Sequence, residues 1–207
     1  MLVSDPSLGG GSGRLTGVPL PDLFDLLAPL YDRMIRADDE PPLLQHLDLP
    51  AGGWLLDAAG GTGRMAERIA GAVDHVLVLD ASHPMLRQAM SKGCCLAVVA
   101  ATERLPLADG SLRRICLVDA YHHLADREMS VRELWRVLAP GGRLVIEEPD
   151  IDRLAVKIVA IMETVALMRS HFAHGEAIAL VLNRLGAQVE LRRDGHTLWA
   201  VADKPAA

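Results

Sequence analysis

Two acidic residues, each at the end of an apolar run, frame a glycine-rich loop. Residues 55–63 read Leu-Leu-Asp-Ala-Ala-Gly-Gly-Thr-Gly, so Asp57 ends the first run and three glycines follow it. Asp80 ends the next run, Val-Leu-Val-Leu-Asp, 23 positions after Asp57. Glycines let backbone approach a ligand closely, and a carboxylate at the second position can accept both hydroxyls of a ribose. The pattern predicts a nucleotide pocket at the carboxyl ends of two adjacent parallel strands.

The charge of Asp57 discriminates between two kinds of nucleotide ligand. Residues 61–66 fit the G-x-G-x-x-G/A fingerprint, which taken alone would permit an NAD-dependent oxidoreductase. An unpaired carboxylate about 4 Å from a phosphate is repelled by about 4 kcal/mol at an effective dielectric near 20. A ligand with an ammonium and a sulfonium converts that repulsion into attraction. S-adenosylmethionine carries both groups, a ribose for Asp80 and no phosphate.

Three further segments follow the loop in order and resemble one family, the class I S-adenosylmethionine-dependent methyltransferases. Residues 80–86 resemble its D-x-S-x-x-M-L segment, and residues 103–111 look like its A-E-x-L-P-F-x-D-x-S segment. Residues 133–144 are similar to its E-x-x-R-V-L-K-P-G-G-x-L stretch. Together with the loop they cover roughly residues 50–150. The resemblance implies an enzyme that transfers a methyl group from S-adenosylmethionine to a small-molecule acceptor.

The resemblance also implies which residues bind the cofactor. Ala101 is a departure, because the family commonly offers an acid to the adenine amino group at this position. We expect Thr102, backbone groups, or apolar contacts from Met85 and Leu105 to hold adenine instead. The full set of expected cofactor-binding residues is Asp57, Ala59, Gly60, Gly61, Gly63, Asp80, Ala81, Met85, Ala101, Thr102, Glu103 and Asp119.

Fewer residues are candidates for a catalytic role than for cofactor binding, and each of them also has a possible structural role. His122 and His123 follow the fourth predicted strand, beside the transferable methyl in this fold, and either is a candidate general base or a structural residue. Tyr31 is a candidate for binding the substrate or orienting a nucleophile, and packing is its alternative role. Asp150 is interpreted as a loop cap.

Apolar runs alternate with amphipathic stretches, which predicts crossover units and an α/β fold. The resemblance specifies a Rossmann-like three-layer sandwich with a seven-stranded, mostly parallel sheet, unlike the six parallel strands usual for NAD domains. Asp194-Gly195 marks a C-terminal antiparallel hairpin. Strands are predicted at 54–58, 75–80, 95–100, 114–119, 143–147, 187–192 and 197–202, and helices over 63–71, 84–92, 127–138, 154–168 and 176–185.

We expect a mobile tail over residues 1–17 and a single methyltransferase domain over 18–207. Residues 23–32 look like the F-D-x-x-A-x-x-Y-D opening of quinone-biosynthesis C-methyltransferases and their relatives, which implies a cap helix over 21–36. A second segment, 151–175, is expected to cover the substrate pocket. Its stretch 154–168 is hydrophobic at twelve of fifteen positions, so it predicts an apolar acceptor site or a homodimer interface, but it is too short to span a membrane.

Composition narrows the classes of partner. A net charge of −6 means that the chain lacks the excess of Lys and Arg that is typical of nucleic-acid-binding proteins. Three cysteines are too few and too badly spaced for a disulfide framework or a zinc site. His171 and His174 lie beside the acid Glu176, but a metal site would need a further strong ligand, so no metal is expected. Without an export signal the cytoplasm is the expected location. A non-catalytic module that only binds S-adenosylmethionine stays open as an alternative.

Overall fold

The computed structural model describes residues 42–150 and 174–206. The expected tail, the cap helix with Tyr31, and the apolar stretch 154–168 lie outside the described residues, as does His171.

The described residues form one seven-stranded sheet in the order β3-β2-β1-β4-β5-β7-β6. β1 to β5 run parallel to one another, and β7 lies antiparallel between β5 and β6. The predicted fold is therefore confirmed, including the C-terminal hairpin. The strands are β1 (Trp54–Ala58), β2 (His75–Asp80), β3 (Leu96–Val99), β4 (Leu112–Val118), β5 (Leu138–Pro149), β6 (Gln188–Asp194) and β7 (Thr197–Asp203).

Helices cover both faces of the sheet, because the central strands are apolar on both sides. Leu55 and Val78 face one layer of helices, and Leu56 and Leu79 face the other, in two separate buried clusters. The first layer contains α1 (Pro42–His46), α2 (Arg64–Ile69) and α3 (His83–Ser91), and the second contains α4 (Arg127–Val137) and α5 (Gly175–Arg184).

Most element boundaries other than those of β1 and β2 differ from the prediction by one to five residues, and the junction of α4 and β5 differs for a reason that is not local. The helix predicted to continue to residue 138 ends at Val137, and β5 begins at Leu138. Gly141 N donates to Lys204 O, and Lys204 N donates to Gly142 O, at 2.9 Å each, so the chain end extends the sheet beyond the predicted strand. The short helix α1 was not predicted.

The connection from β3 to β4 is fastened to α4. The Arg136 guanidinium donates to the carbonyl oxygens of Leu105 and Leu107 and also pairs with Asp109. Glu133 holds the same guanidinium and accepts the Leu105 N–H at 2.9 Å. This clamp fastens the β3–β4 connection to the last turn of α4.

Within the described residues, no helix is long and apolar enough to cross a membrane.

Candidate functional site

A cavity of about 460 Å³ opens at the carboxyl ends of β1, β2 and β4. Parallel strands leave such a crevice where the order of connection reverses, here between β1 and β4. The cavity is lined by the glycine loop after β1, the residues after β2 and β3, and the turn after β4. Of the twelve expected cofactor-binding residues, eleven line it: Asp57, Ala59, Gly60, Gly61, Asp80, Ala81, Met85, Ala101, Thr102, Glu103 and Asp119.

Asp57 is a buried carboxylate with an unused oxygen. Its Oδ1 accepts the Cys116 thiol at 3.7 Å, whereas its Oδ2 accepts no hydrogen bond from the described residues. Burial raises the pKa of this carboxyl from 3.8 to about 7, and the nearby Asp80 adds to the rise. Hydrogen bonds from Cys116 and the Ala66 backbone, and the charge of Arg64, oppose it. A buried acceptor without a donor is a site for a ligand N–H or a positive charge.

The glycine loop brings backbone against this carboxylate. A Cβ on Gly60 would stand 2.5 Å from Asp57 Cγ, so no larger residue fits there. Gly63 does not line the cavity. It has φ +71°, and a Cβ there would stand 2.9 Å from Ala89 Cβ, so it allows α2 and α3 to pack closely.

Asp80 is oriented by backbone donors. Gly61 N donates to Oδ2 at 2.9 Å, and Ser82 N donates to Oδ1 at 2.7 Å. Asp80 lines the cavity, and a carboxylate with two acceptor oxygens is suited to the two hydroxyls of a vicinal diol. Ser82 also begins α3, its Oγ accepting the Met85 N–H at 3.4 Å.

The end of the cavity next to β3 offers few free polar groups. Ala101 is exposed to the cavity, in place of an acid. The Thr102 hydroxyl lies 2.9 Å from Ser130 Oγ on α4, which occupies it in a protein contact. Glu103 accepts the Asp126 N–H at 3.2 Å and so caps the start of the same helix. Apolar Met85 therefore supplies much of the contact available to a flat ring here.

At the opposite end of the cavity, Asp119 pairs with Arg64. The Arg64 Nη2 to Asp119 Oδ2 distance is 3.2 Å, which joins the start of α2 to the end of β4. Asp119 and Ala59 both have φ 51°, and both line the cavity. Left-handed backbone at non-glycine residues costs free energy and often marks functional sites. Sequence reasoning did not identify Arg64.

The two adjacent histidines lie on different sides of the cavity wall. His123 lines the cavity, and burial, together with His122, lowers its pKa to about 4, so it is neutral at pH 7. His122 does not line it: the ring is buried, with Nδ1 2.6 Å from Glu148 Oε2. Glu148 also accepts the Tyr121 N–H at 2.8 Å.

The remaining candidates lie elsewhere. Asp150 is buried, with its Oδ2 3.6 Å from Arg193 Nε. Glu176 pairs with the same arginine at 2.8 Å, and His174 is exposed at the start of α5. No group of three metal-ligating side chains occurs in the described part of the chain. The cavity residues that sequence reasoning did not single out are Thr62, Arg64, Met65, Ser82, Ala100, Val118, Ala120, Leu124 and Ala125.

Known proteins match both the sequence and the fold. Residues 56–146 match the family model described as a methyltransferase domain. The ubiquinone/menaquinone biosynthesis C-methyltransferase UbiE of Syntrophotalea carbinolica is 36% identical over 140 residues, which are 61% of this chain and 59% of that protein. The chain thus spans about three fifths of the length of this curated relative.

Two solved structures share the fold. An S-adenosylmethionine-dependent methyltransferase from Mesorhizobium loti superposes with TM-score 0.67 and 19% identity, over 79% of this chain and 96% of that one. The cyclase SpnF superposes with TM-score 0.70 and 16% identity, over 89% and 94% of the two chains. At these identities the structures establish the architecture alone.

Proposed function

We propose that this chain methylates a small-molecule acceptor, because residues 56–146 match a methyltransferase domain and the chain resembles the class I S-adenosylmethionine-dependent methyltransferases in sequence and fold. Family and fold together imply S-adenosylmethionine as the cofactor. One observation carries the proposal furthest: the buried Asp57 Oδ2 that no described residue satisfies, next to a loop where only glycine fits.

The residues of the cavity fit this cofactor. Asp57 would receive the ammonium group of the methionine moiety, and Asp80 the two ribose hydroxyls. Met85 would pack against adenine, with Ala101 leaving space beside the ring. The Arg64 guanidinium is the cation available for a carboxylate, next to Asp119. When bound, the cofactor supplies an electrophilic methyl on a positively charged sulfur.

The protein's own contribution is chiefly to position the reactants. Holding two reactants in line replaces a bimolecular encounter and is worth about 7–11 kcal/mol of barrier in favourable cases. Val118, Ala120 and Leu124 give the wall beside Asp119 an apolar surface. Neutral His123 adds a hydrogen-bonding group without a positive charge that would repel a sulfonium.

We propose an aromatic acceptor related to quinols as the first class to test, since the relative named above is a quinone-biosynthesis C-methyltransferase. The apolar wall supports this choice. A quinol is also acidic enough to become a nucleophile after losing a proton.

Binding and methyl transfer require separate experiments, because the same fold occurs in a cyclase. Thermal shift with S-adenosylmethionine, S-adenosylhomocysteine and NAD tests the ligand, and a ligand at 100 times its dissociation constant adds about 2.7 kcal/mol. We expect the first two to stabilise the protein and NAD to leave it unchanged. Stabilisation by NAD alone would favour the oxidoreductase.

Methyl transfer is then measured with radiolabelled S-adenosylmethionine and a panel of quinols, phenols and amines. Labelled product from any member supports the enzyme. Binding of the cofactor without transfer to any acceptor would favour the non-catalytic module.

A further inference from the structure

Glu147 is a carboxylate one strand beyond the wall of the cavity. In the sheet register it pairs with Val118 of β4, which lines the cavity, and with Trp199 of β7 on its other side. Neighbouring strands are about 4.8 Å apart. The side chain at Glu147 therefore stands beside the cavity, on the side away from β1 and the glycine loop.

The register also fixes the face of the sheet. Asp57 pairs with Cys116, and Cys116 pairs with Val145, so these three share a face. Glu147 is two residues after Val145 and points the same way, because side chains alternate along a strand. Asp57 and Glu147 are thus on one face, and Glu147 is closer to the carboxyl edge.

The surroundings of Glu147 leave one oxygen available. Trp199 Nε1 donates to Oε2 at 3.1 Å, and the indole packs against His46, with ring centroids 5.0 Å apart. The described residues donate no hydrogen bond to Oε1, and the residue is partly exposed. Glu147 is held in place by a neutral donor, and within the described residues no cation pairs with it.

Burial and the neighbouring acids favour the protonated form of the Glu147 carboxyl. Burial is the main cause that raises the pKa of Glu147 to about 7, and the negative charge of Asp119 adds to it. The Trp199 hydrogen bond and the charge of Arg64 oppose the rise, and Glu148 on the neighbouring position contributes a further increase. A carboxylate that titrates near neutral pH suits the transfer of a proton.

We propose that Glu147 accepts the proton that the acceptor loses during methyl transfer. This inference rests on the proposed function and specifies the acceptor class: its nucleophilic atom X carries a hydrogen, as in a phenol, an enol or an ammonium. The X–H bond breaks, its electron pair stays on X and the proton goes to Glu147 Oε1. X bonds to the methyl carbon, and the carbon–sulfur electron pair leaves with the sulfur.

The first test measures the titration of this one carboxyl. Protein labelled with ¹³C at the glutamate carboxyl carbons is saturated with S-adenosylhomocysteine and titrated from pH 4 to 9, and the Glu147→Gln variant identifies the signal. We expect a midpoint near 7. A midpoint below 5.5 in this complex would overturn the proposal, whichever acceptor the enzyme uses.

The second test separates proton transfer from a structural role. Gln at this position keeps an acceptor for the indole N–H, whereas Trp199→Phe removes the donor together with part of the buried ring. On an acceptor from the panel that the wild type methylates, we expect Glu147→Gln to be about 100-fold slower at pH 8 or worse. Its rate should no longer rise between pH 6 and 8, and its affinity for S-adenosylhomocysteine should stay within threefold of wild type.

Controls make the result specific. Glu128→Gln removes an exposed glutamate of α4 that pairs with Arg132, and this variant should behave as wild type. A Glu147→Gln rate within threefold of wild type, with Trp199→Phe impaired, would show that the glutamate only supports the indole. Failure of the wild type to bind S-adenosylhomocysteine would instead refute the proposed function itself.

Discussion

Replacing Asp57 by Asn should stabilise the ligand-free protein at pH 8 while weakening cofactor binding. The folded protein raises the pKa of this carboxyl from 3.8 to about 7. At about 1.4 kcal/mol for each pKa unit, holding the ionised form at pH 8 costs about 4 kcal/mol. Asn never ionises but still buries a polar amide. We therefore expect the free energy of unfolding to rise by about 2 kcal/mol at pH 8.

The pH dependence gives this prediction its sign. A raised carboxyl pKa means that the folded state binds more protons than the unfolded state between pH 4 and 7. The contribution of Asp57 to the free energy of unfolding of the wild type is therefore largest below pH 4, and it is lost as the pH rises through 7. The variant should gain stability over the wild type at pH 8 and none at pH 4.

Urea unfolding at both pH values measures the difference, and calorimetry at pH 8 measures cofactor affinity. Loss of the carboxylate charge should weaken S-adenosylmethionine binding at least tenfold, since a hydrogen bond to a charged group contributes about 1.5–3 kcal/mol. Equal gains at pH 4 and pH 8 would contradict the electrostatic reasoning. Unchanged affinity would remove Asp57 from the cofactor site.

Three further substitutions test the rest of the cavity. Asp80→Ala should cost about 2–3 kcal/mol of cofactor binding by calorimetry, because two hydroxyl hydrogen bonds to a charged group are lost, and unchanged binding would contradict the ribose role. Ala101→Asp should tighten binding if the adenine amino group is within reach, and a co-crystal structure with adenine elsewhere would refute this. Gly60→Ala should abolish binding, as its Cβ would stand 2.5 Å from Asp57 Cγ, whereas Gly71→Ala meets nothing within 4 Å and should bind normally.

The sequence predicted the cofactor side of the fold well because its signals are local. β1 and β2 have the predicted bounds, since each contains an apolar run with an acid at or next to its last residue. The start of β5 could not be predicted, because Leu138 pairs with Leu112 of β4, and Gly141 and Gly142 bond to Lys204 at the far end of the chain. A one-residue change of boundary at Leu138 thus depends on a contact distant in sequence.

The residues on the acceptor side of the cavity could not be predicted from local sequence in the same way. Successive side chains of the single turn Tyr121–His123 point about 120° apart, and only the packing of His122 against Glu148 determines that His123 faces the cavity. Glu147 looks like an ordinary strand residue until Trp199, 52 positions later, is placed beside it. The roles assigned to these residues stay predictions.

The Arg136 clamp has a consequence for how such an enzyme could change its substrate. It ties the β3–β4 connection to α4 from behind, through carbonyls and a carboxylate that do not touch the cavity. The β5 end, where we place the acceptor, does not share this anchorage. We therefore expect substitutions around Val118 and Glu147 to alter acceptor choice while the β3–β4 connection stays anchored. A library of variants confined to that end of the cavity should therefore yield enzymes that accept new substrates and still bind the same cofactor.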